Sequence, residues 1–402
     1  MISAAYGLLF CSAFTSAFSL PAGRAFLALS FVAVCADLIR QRRKPGWPLT
    51  VWLGLAFILV AIEATLLGAN PQIGLPKLRK LIWFIGIPAV AALATTPQRV
   101  TGLLGAYAAG AGVMSLRMWV SHPMMALHNV ASGRAPDFFG GLVQAGSMAN
   151  AQRLMLGILI TIGFLEICRR ENRRAAWWGV LLVVQIIGLV LMFKRGSWIC
   201  TVALAGVFVA VRLRWRDLLL LAAVVIAIAF LPPVQKRFGG LVAEFTTDRG
   251  GRMTMWTQVT PALFREHPWL GIGYRSLTNE MMRKVAPEVE RNRDHLHSNL
   301  CEVLVETGLI GLGLYLLWMG AALWDAARYA WRSRRGGIVT DRALSLALVL
   351  MFLGLLGNGL VEYNFADAEI VLAYGLVMGL AAAGSRRVAS SLRNDALPMG
   401  NP

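Results

Sequence analysis

Long apolar stretches alternate with short polar connections along almost the whole chain. Twelve of these stretches approach the length of about 20 residues that a helix needs to cross the hydrocarbon core of a bilayer. They are 3–20, 22–39, 48–68, 80–95, 100–120, 153–168, 176–193, 196–212, 217–233, 300–323, 343–361 and 366–384. Because helices satisfy their own backbone hydrogen bonds in lipid, the pattern predicts an all-α, polytopic membrane protein with about twelve transmembrane helices.

One polar segment, 234–299, is much longer than the other connections and separates the ninth span from the tenth. Inside it, Met255, Val259 and Leu263 recur at helical spacing, which predicts an amphipathic helix over 251–264. We therefore divide the chain into three parts: 1–233 with transmembrane helices 1–9, a partly helical loop domain over 234–299, and 300–402 with transmembrane helices 10–12 and a tail.

Clusters of Arg and Lys follow the even-numbered spans, and basic residues in short loops are enriched on the cytoplasmic side of a membrane. The clusters lie at 40–44, 169–174, 212–216, 328–335 and 386–387. This distribution predicts that both termini are cytoplasmic. It places three segments on the opposite face, which are the loop 121–152, the turn at 194–197 and the segment 234–299.

The composition fits the same class, since 57% of the residues are hydrophobic and only 15% are charged. A formal net charge of +18 could suggest a nucleic-acid partner. The basic residues fall mostly in short loops between spans, however, where orientation and contacts with anionic lipids account for them. We expect membrane lipids and no nucleic acid as partners. The five cysteines have no spacing typical of a disulfide framework or a metal site.

Basic residues on the expected outer face are candidates for anion binding. Lys194 and Arg195 form a pair in a short outer turn, where the orientation rule disfavours them; the alternative is that they reach for lipid headgroups. Arg252 precedes Trp256 by one helical turn, and Arg249 lies just before. A guanidinium group matches phosphate oxygens bidentately, although an ordinary solvated helix would show the same pattern.

Two further basic positions are weaker candidates. Arg265 recurs near the end of the predicted loop helix, where the adjacent Glu266 could simply pair with a cation. Lys77, Arg79 and Lys80 form another outer cluster at the start of the fourth span, and contact with lipid headgroups is the alternative explanation.

His295 and His297 are the candidates for proton transfer, because an imidazole titrates near neutral pH. Two solvated loop histidines are the alternative. Glu302 and Glu306 follow, four residues apart on one helix face, and carboxylates inside a span are usually functional; they could orient a histidine or balance an arginine. We expect no metal site, since the two histidines have no further His or Asp cluster at ligand spacing.

Polar residues also mark the turn before the last span, and they could offer hydrogen bonds to a polar ligand. They are Asn358, Glu362, Tyr363 and Asp367.

The order of these motifs resembles the O-antigen ligase family of bacterial inner-membrane glycosyltransferases, over about 190–315. The resemblance is carried by three elements: the arginine in a tight turn between helices; Arg252-x-x-x-Trp256 followed by Pro268-Trp-Leu-Gly271-Ile-Gly273; and His297-Ser-x-x-Cys-Glu302-x-x-x-Glu306-x-Gly308-Leu-Ile-Gly311. Outside this region only the predicted topology is similar, with a large periplasmic loop between spans nine and ten.

The resemblance implies a metal-independent, inverting glycosyltransferase that needs no cofactor. It would transfer O-antigen from undecaprenyl diphosphate to lipid A–core on the periplasmic face of the inner membrane. His297 would be the catalytic base, and Arg195 and Arg252 would hold the diphosphate of the donor. The family often has a small or hydroxylated residue before the turn arginine, and this chain has Lys194.

Several alternatives stay open at this point. The nearest is an O-antigen polymerase, which uses the same donor chemistry on a lipid-linked acceptor. A protein O-glycosylation ligase is typically longer, with an extra C-terminal periplasmic region. A transporter or flippase for an anionic lipid would place charged residues at mid-membrane depth in several spans, whereas here they gather at one face. A purely structural scaffold is the remaining alternative.

Overall fold

The structure is a computed structural model that describes residues 1–42, 44–212, 215–239, 241, 251–290, 294–365 and 367–396. The first nine helices are α1 (Ile2–Ser16), α2 (Leu20–Arg40), α3 (Leu49–Leu67), α4 (Pro71–Leu78), α5 (Gly86–Leu93), α6 (Pro97–Ala131), α7 (Phe138–Ala145), α8 (Met148–Arg170) and α9 (Ala176–Leu191). They are followed by α10 (Arg195–Arg212), α11 (Trp215–Ala229), α12 (Pro232–Gly239), α13 (Arg252–Thr254), α14 (Thr260–Glu266), α15 (Asn279–Val285), α16 (Asn299–Gly336), α17 (Val339–Val361) and α18 (Ala368–Ala396).

The all-α class is confirmed, and the described residues contain no strand. Among them, eight helices are long and apolar enough to cross a membrane, or nine if α11 and α12, which are bent by 80°, form one broken span. The apolar helices α1 and α9 have 15 and 16 residues. The protein is therefore a multi-pass membrane protein, but the predicted count of twelve spans is not confirmed.

Two predicted boundaries were wrong for identifiable reasons. The stretch 80–95 is not one helix, because a 3₁₀ helix over Leu81–Ile85 leads into the separate helix α5. Pro88 lies in the first turn of α5, where its missing N–H is tolerated. In the interior of a single helix over 80–95, the same proline would cause a kink. The predicted loop 121–152 begins inside a helix, since α6 continues to Ala131.

The centre of the bundle is built from α8 and α18, whose apolar windows are almost completely buried. The helix α16 packs against α3, α17 and α18, and α17 packs against α8. Five aromatic side chains fill the space between these helices and the 3₁₀ turn: Phe57, Phe84, Tyr315, Trp318 and Phe365. Ring pairs of this kind stabilise beyond the area that they bury.

Residues 252–290 and 294–296 form a cap at one end of the bundle, with a small hydrophobic core of its own. Its first helix runs through α13, a π turn (Met255–Val259) and α14 without a break. Met255, Val259 and Leu263 are buried in the cap core, which confirms the helix predicted from their spacing. The proposed domain boundaries at 234 and 299 stay predictions, because the cap core also includes Val305 of α16.

A kink in α16 joins the cap to the bundle. Gly308 has φ 64° and ψ −165°, a conformation that only glycine adopts without strain. A Cβ at this position would lie 2.2 Å from the carbonyl carbon of Trp269. The N–H groups of Ile272 and Gly273 donate to the carbonyls of Val305 and Glu306, both at 2.9 Å. The glycine turn after Pro268 is thereby fixed against the helix that follows His297.

Candidate functional site

The imidazole of His297 lies against the carboxylate of Glu362, with Nδ1 of His297 3.1 Å from Oε2 of Glu362. His297 lies just before α16 and Glu362 just after α17, 65 residues later. Both side chains are largely buried, with 9% and 13% of their surface exposed. His297 has a left-handed backbone, with φ 54°, which is uncommon for a residue with a side chain.

The charge of Glu362 determines which nitrogen of His297 carries the proton. Burial raises the pKa of Glu362, but the hydrogen bond with His297 and the nearby charge of Arg252 lower it more, so that it lies below the ordinary value. Glu362 is therefore ionised at neutral pH, and an ionised carboxylate can only accept hydrogen bonds. In the neutral imidazole of His297, Nδ1 must be the donor to this carboxylate, which leaves the lone pair on Nε2.

Arg252 binds the other oxygen of the same carboxylate, with Nη2 of Arg252 2.5 Å from Oε1 of Glu362. One turn later, Nε1 of Trp256 donates to the carbonyl of Leu296 at 2.7 Å. The first turns of the cap helix are thus tied both to Glu362 and to the residue that precedes His297. The spacing of Arg252 and Trp256 does place both on one helix face, as predicted.

The turn between α9 and α10 forms another side of the site. Arg195 is 8% exposed, and its Nη1 donates to the carbonyl of Arg237 at 3.2 Å. Nε of Arg237 donates in return to the carbonyl of Phe193 at 3.1 Å. The hydroxyl of Ser197 donates to the side-chain oxygen of Asn358 at 3.2 Å. Because Asn358 lies four residues before Glu362 in the chain, this bond connects the turn between α9 and α10 to the end of α17.

Positive charge is concentrated at this turn. Burial lowers the pKa of Lys194, Arg237 and Arg252 lower it further, and Glu362 opposes them. Arg252 is also within electrostatic range of Arg237. The carboxylate of Glu362 therefore lies within range of the cations of Lys194 and Arg252. Arg237 is within electrostatic range of both of these cations, and Arg195 is hydrogen-bonded to the backbone of Arg237. A bound anion would relieve the repulsion among them.

His295 lies beside His297, with ring centroids 4.1 Å apart and planes inclined by 56°. Its Nδ1 is 2.7 Å from an oxygen of Asp294. Burial and the charge of His297 lower the pKa of His295, although Asp294 opposes them. His295 is therefore neutral at pH 7, since the ordinary imidazole pKa is about 6.5.

Asn299 connects the two segments that carry His297 and Glu362. Its side-chain oxygen accepts from the backbone N–H groups of Asn364 at 3.0 Å and Phe365 at 3.1 Å. Its amide group donates to the side-chain oxygen of Asn364 at 2.7 Å. Because Asn299 follows His297 by two residues and Asn364 follows Glu362 by two, this amide pair holds the histidine and the carboxylate in register.

The two glutamates of α16 are buried behind the site. Glu302 accepts the backbone N–H of Leu296, the neighbour of His297. Glu306 accepts the hydroxyl of Tyr363, the neighbour of Glu362, at 2.7 Å. Each carboxylate therefore supports the backbone beside one of the two paired residues.

The other predicted basic residues that the structure describes lie outside this group. Arg265 is exposed near the end of α14, and Arg249 lies outside the described residues. Arg79 and Lys80 directly follow α4, and Lys80 is within electrostatic range of Arg275 and Asp367. The structure thus groups Lys194, Arg252, Trp256 and both histidines around Glu362 and Leu296. Arg195 is linked to this group through Arg237.

One cluster has spacing that a metal ion would accept. The ligand atoms of His295, His297 and Glu362 lie within 4.8 Å of one another. The third residue of the cluster is a glutamate brought in by tertiary packing, and the expectation of no metal site stays a prediction. Arg252 already pairs with Glu362, however, and its positive charge would oppose a cation at that position.

Sequence reasoning missed three residues and undervalued a fourth. Arg237, Asn299 and Asn364 had no local signal that distinguishes them from ordinary polar residues. Glu362 was noted only as a hydrogen-bonding residue in an outer turn. Its pairing with His297 comes from tertiary packing of α16 on α17.

Comparison with known families adds one finding. Residues 180–316 match the family model described as O-antigen ligase. A search of curated proteins finds no match. The matched region contains the turn at Arg195, the cap and the histidine pair, and it ends before Glu362.

Proposed function

From the O-antigen ligase family domain that this chain carries over residues 180–316, we propose that it transfers O-antigen polysaccharide from undecaprenyl diphosphate to lipid A–core. The family match supports glycosyl transfer of the ligase or polymerase type. The observation that supports a catalytic role for this site is the pairing of Glu362 with both His297 and Arg252. In this proposal the protein lies in the bacterial inner membrane with both termini cytoplasmic, and the site faces the periplasm.

His297 acts as general base in this mechanism. Nε2 takes the proton from an acceptor sugar hydroxyl while that oxygen bonds to the anomeric carbon of the donor. The bond from the anomeric carbon to the diphosphate oxygen breaks in the same step, and undecaprenyl diphosphate leaves with the electron pair. A single displacement of this kind inverts the anomeric centre. A positioned base typically contributes about 10²–10⁴-fold to the rate.

Arg195 and Arg252 hold the diphosphate and stabilise the charge that develops as it leaves, and Lys194 and Arg237 add to the positive potential. Each such donor is typically worth about 3–4 kcal/mol of transition-state stabilisation. Cationic side chains would here do the work that a divalent ion does in other glycosyltransferases, so the proposed reaction is independent of metal and cofactor.

Glu362 is a positioning residue in this mechanism. It holds the tautomer of His297 that exposes a lone pair on Nε2, and it stabilises the imidazolium that forms when the proton arrives. Glu302, Glu306 and Asn299 support the segments that carry the pair. Trp256 and His295 line the same region, and Arg249, Arg265, Arg79 and Lys80 stay predicted substrate contacts.

The test is transfer in vitro with purified lipid-linked glycan and lipid A–core, with and without a chelator. We expect wild-type transfer to survive the chelator, and His297→Ala to lose transfer while inserting and folding like wild type. Activity that survives His297→Ala, or that disappears with the chelator, would contradict the mechanism. Elongation of lipid-linked glycan in place of transfer to lipid A–core would identify a polymerase, and translocation without covalent transfer would identify a transporter.

A further inference from the structure

A second cluster of positive charge lies beside the histidine pair, and the proposed mechanism does not say which substrate it contacts. The ammonium of Lys77 donates to the carbonyl of Arg275 at 2.9 Å. The guanidinium of Arg275 in turn lies over the ring of Tyr363, 5.4 Å from its centroid. Tyr363 directly follows Glu362, and its ring centroid is 6.5 Å from that of His295. The second cluster therefore reaches the catalytic pair from the side of α4.

Lys80 is the member of this cluster best suited to bind a ligand. Its side chain is half-buried, and within the described part of the chain its ammonium makes no hydrogen bond or ion pair. Burial lowers its pKa, Arg275 lowers it further, and Asp367 and Glu369 oppose them. Arg275 is a weaker candidate, because its guanidinium already interacts with the carboxylate of Glu306 and the ring of Tyr363.

An apolar groove begins at the same place. A cavity of about 390 Å³ lies between α2, α3, the 3₁₀ turn, α5 and α16, with Val51, Leu55, Ile58 and Ile62 of α3 along one wall. Arg79 is its charged lining residue, next to Lys80, and Trp47 lines it near the other end of α3. A groove lined by aliphatic side chains along a membrane-spanning helix, with a cation at one end, matches a lipid chain that carries an anionic headgroup.

The arrangement of the two clusters matches a reaction between two anionic lipids. Lys194 and Arg252 act on Glu362, whereas Arg275 lies over the ring of the next residue, Tyr363, and Lys80 is within electrostatic range of Arg275. We propose that Lys80 and Arg79 bind a phosphate group of the phosphorylated glycolipid acceptor, and that the groove along α3 takes one of its acyl chains. This inference rests on the proposed function, because it assigns the second substrate to a second site.

The first test pairs a substitution with a change in the acceptor. Lys80→Gln should raise the KM for phosphorylated lipid A–core about tenfold, the scale of one charge-assisted hydrogen bond, and leave kcat and the KM for the donor close to wild type. With an acceptor whose lipid A phosphates have been removed, wild type and Lys80→Gln should have the same KM. Lys80→Arg should restore most of the affinity for the phosphorylated acceptor.

The groove is tested separately with a matched pair on α3. Ile58→Trp fills the cavity and should raise the KM for the acceptor. Leu59→Trp places the same ring at a position that is 66% exposed and does not line the cavity, and it should behave like wild type. Thermal stability of both detergent-solubilised variants shows whether either change merely unfolds the bundle.

Three results would overturn the inference. One is a raised KM for the donor with an unchanged KM for the acceptor in Lys80→Gln, which would assign the cluster to undecaprenyl diphosphate. Another is an equal rise in the KM of Lys80→Gln for the phosphorylated and the dephosphorylated acceptor. The last is the same KM for the acceptor in Ile58→Trp and Leu59→Trp. If wild type itself does not transfer glycan, the proposed function fails, and native mass spectrometry of phosphorylated lipid A–core bound to wild type and to Lys80→Gln still decides the binding site.

Discussion

His297 and Glu362 form a hydrogen-bonded pair of 3.1 Å, although 65 residues and two long helices separate them in the chain. The pair gives His297 a defined tautomer because the carboxylate is ionised and can only accept. Arg252 binds the other carboxylate oxygen of Glu362. A single acidic residue therefore positions both the proposed base and one of the arginines proposed to bind the diphosphate.

Replacing Glu362 by Gln should lower kcat by at least about 10²-fold, because the amide can donate to Nδ1 and so favour the wrong tautomer of His297. The measurement is steady-state transfer with both substrates saturating. Glu280→Gln is the matched control, since Glu280 is an exposed carboxylate paired with Lys284 in the cap, and it should leave kcat unchanged. A wild-type kcat in Glu362→Gln would show that the pairing of His297 with Glu362 is not part of the mechanism.

The stability of the protein should depend on Glu362 at acid pH. Because the folded-state pKa of Glu362 lies below the ordinary carboxyl value of about 4.3, its contribution is fully present above that value. The contribution is lost as pH falls from about 4.3 through the folded-state pKa. Melting temperatures of wild type and Glu362→Gln, measured between pH 7 and pH 3, should therefore converge at the acid end. Parallel curves over this range would contradict the assigned shift.

Asn299→Asp tests the amide pair that joins the two segments. Aspartate can still accept from the backbone N–H groups of Asn364 and Phe365, but it cannot donate to the side chain of Asn364. We expect a lower kcat, an unchanged KM for the donor, and a shifted pH profile of kcat as the contact between Glu362 and His297 changes. A change in thermal stability alone, with an unaltered pH profile, would show that Asn299 is only structural.

Gly308→Ala should destabilise the protein by at least about 1–3 kcal/mol, because its backbone conformation is strained for any residue with a Cβ. The added atom would also overlap the backbone of Trp269 and separate the cap from α16. Gly313→Ala, on the same helix with open space around its position, should be neutral or stabilising by up to about 1 kcal/mol. Thermal unfolding in detergent compares the two, and equal melting temperatures would refute the role given to the kink.

Arg195→Gln should raise the KM for undecaprenyl-diphosphate-linked glycan and lower kcat/KM by about 10²-fold, the scale of one lost charged donor at a developing anion. Arg265→Gln is the comparison, since Arg265 is exposed near the end of α14. This substitution should lower kcat/KM several-fold at most. The initial rate is measured against donor concentration. If Arg265→Gln costs as much as Arg195→Gln, the exposed arginine belongs in the donor site.

Local pattern was enough for much of this architecture. Continuous apolar stretches predicted a helical membrane protein, and the spacing of Met255, Val259 and Leu263 predicted the cap helix, because burial of a helix face imposes a periodicity that is visible in a short window. The motif order also singled out His297, Arg195 and Arg252 as candidate site residues, and their roles stay predictions.

The tertiary structure decided what periodicity cannot encode. Apolar stretches do not reveal where a helix is broken, as between the 3₁₀ turn and α5, or how far it continues, as in α6. The partner of His297 lies after α17, and the packing of α16 on α17 and α18 alone brings Glu362 to it. The sequence by itself determined the class of the protein and the candidate site residues. Long-range packing determined which carboxylate pairs with His297, because a contact across 65 residues leaves no trace in any local spacing.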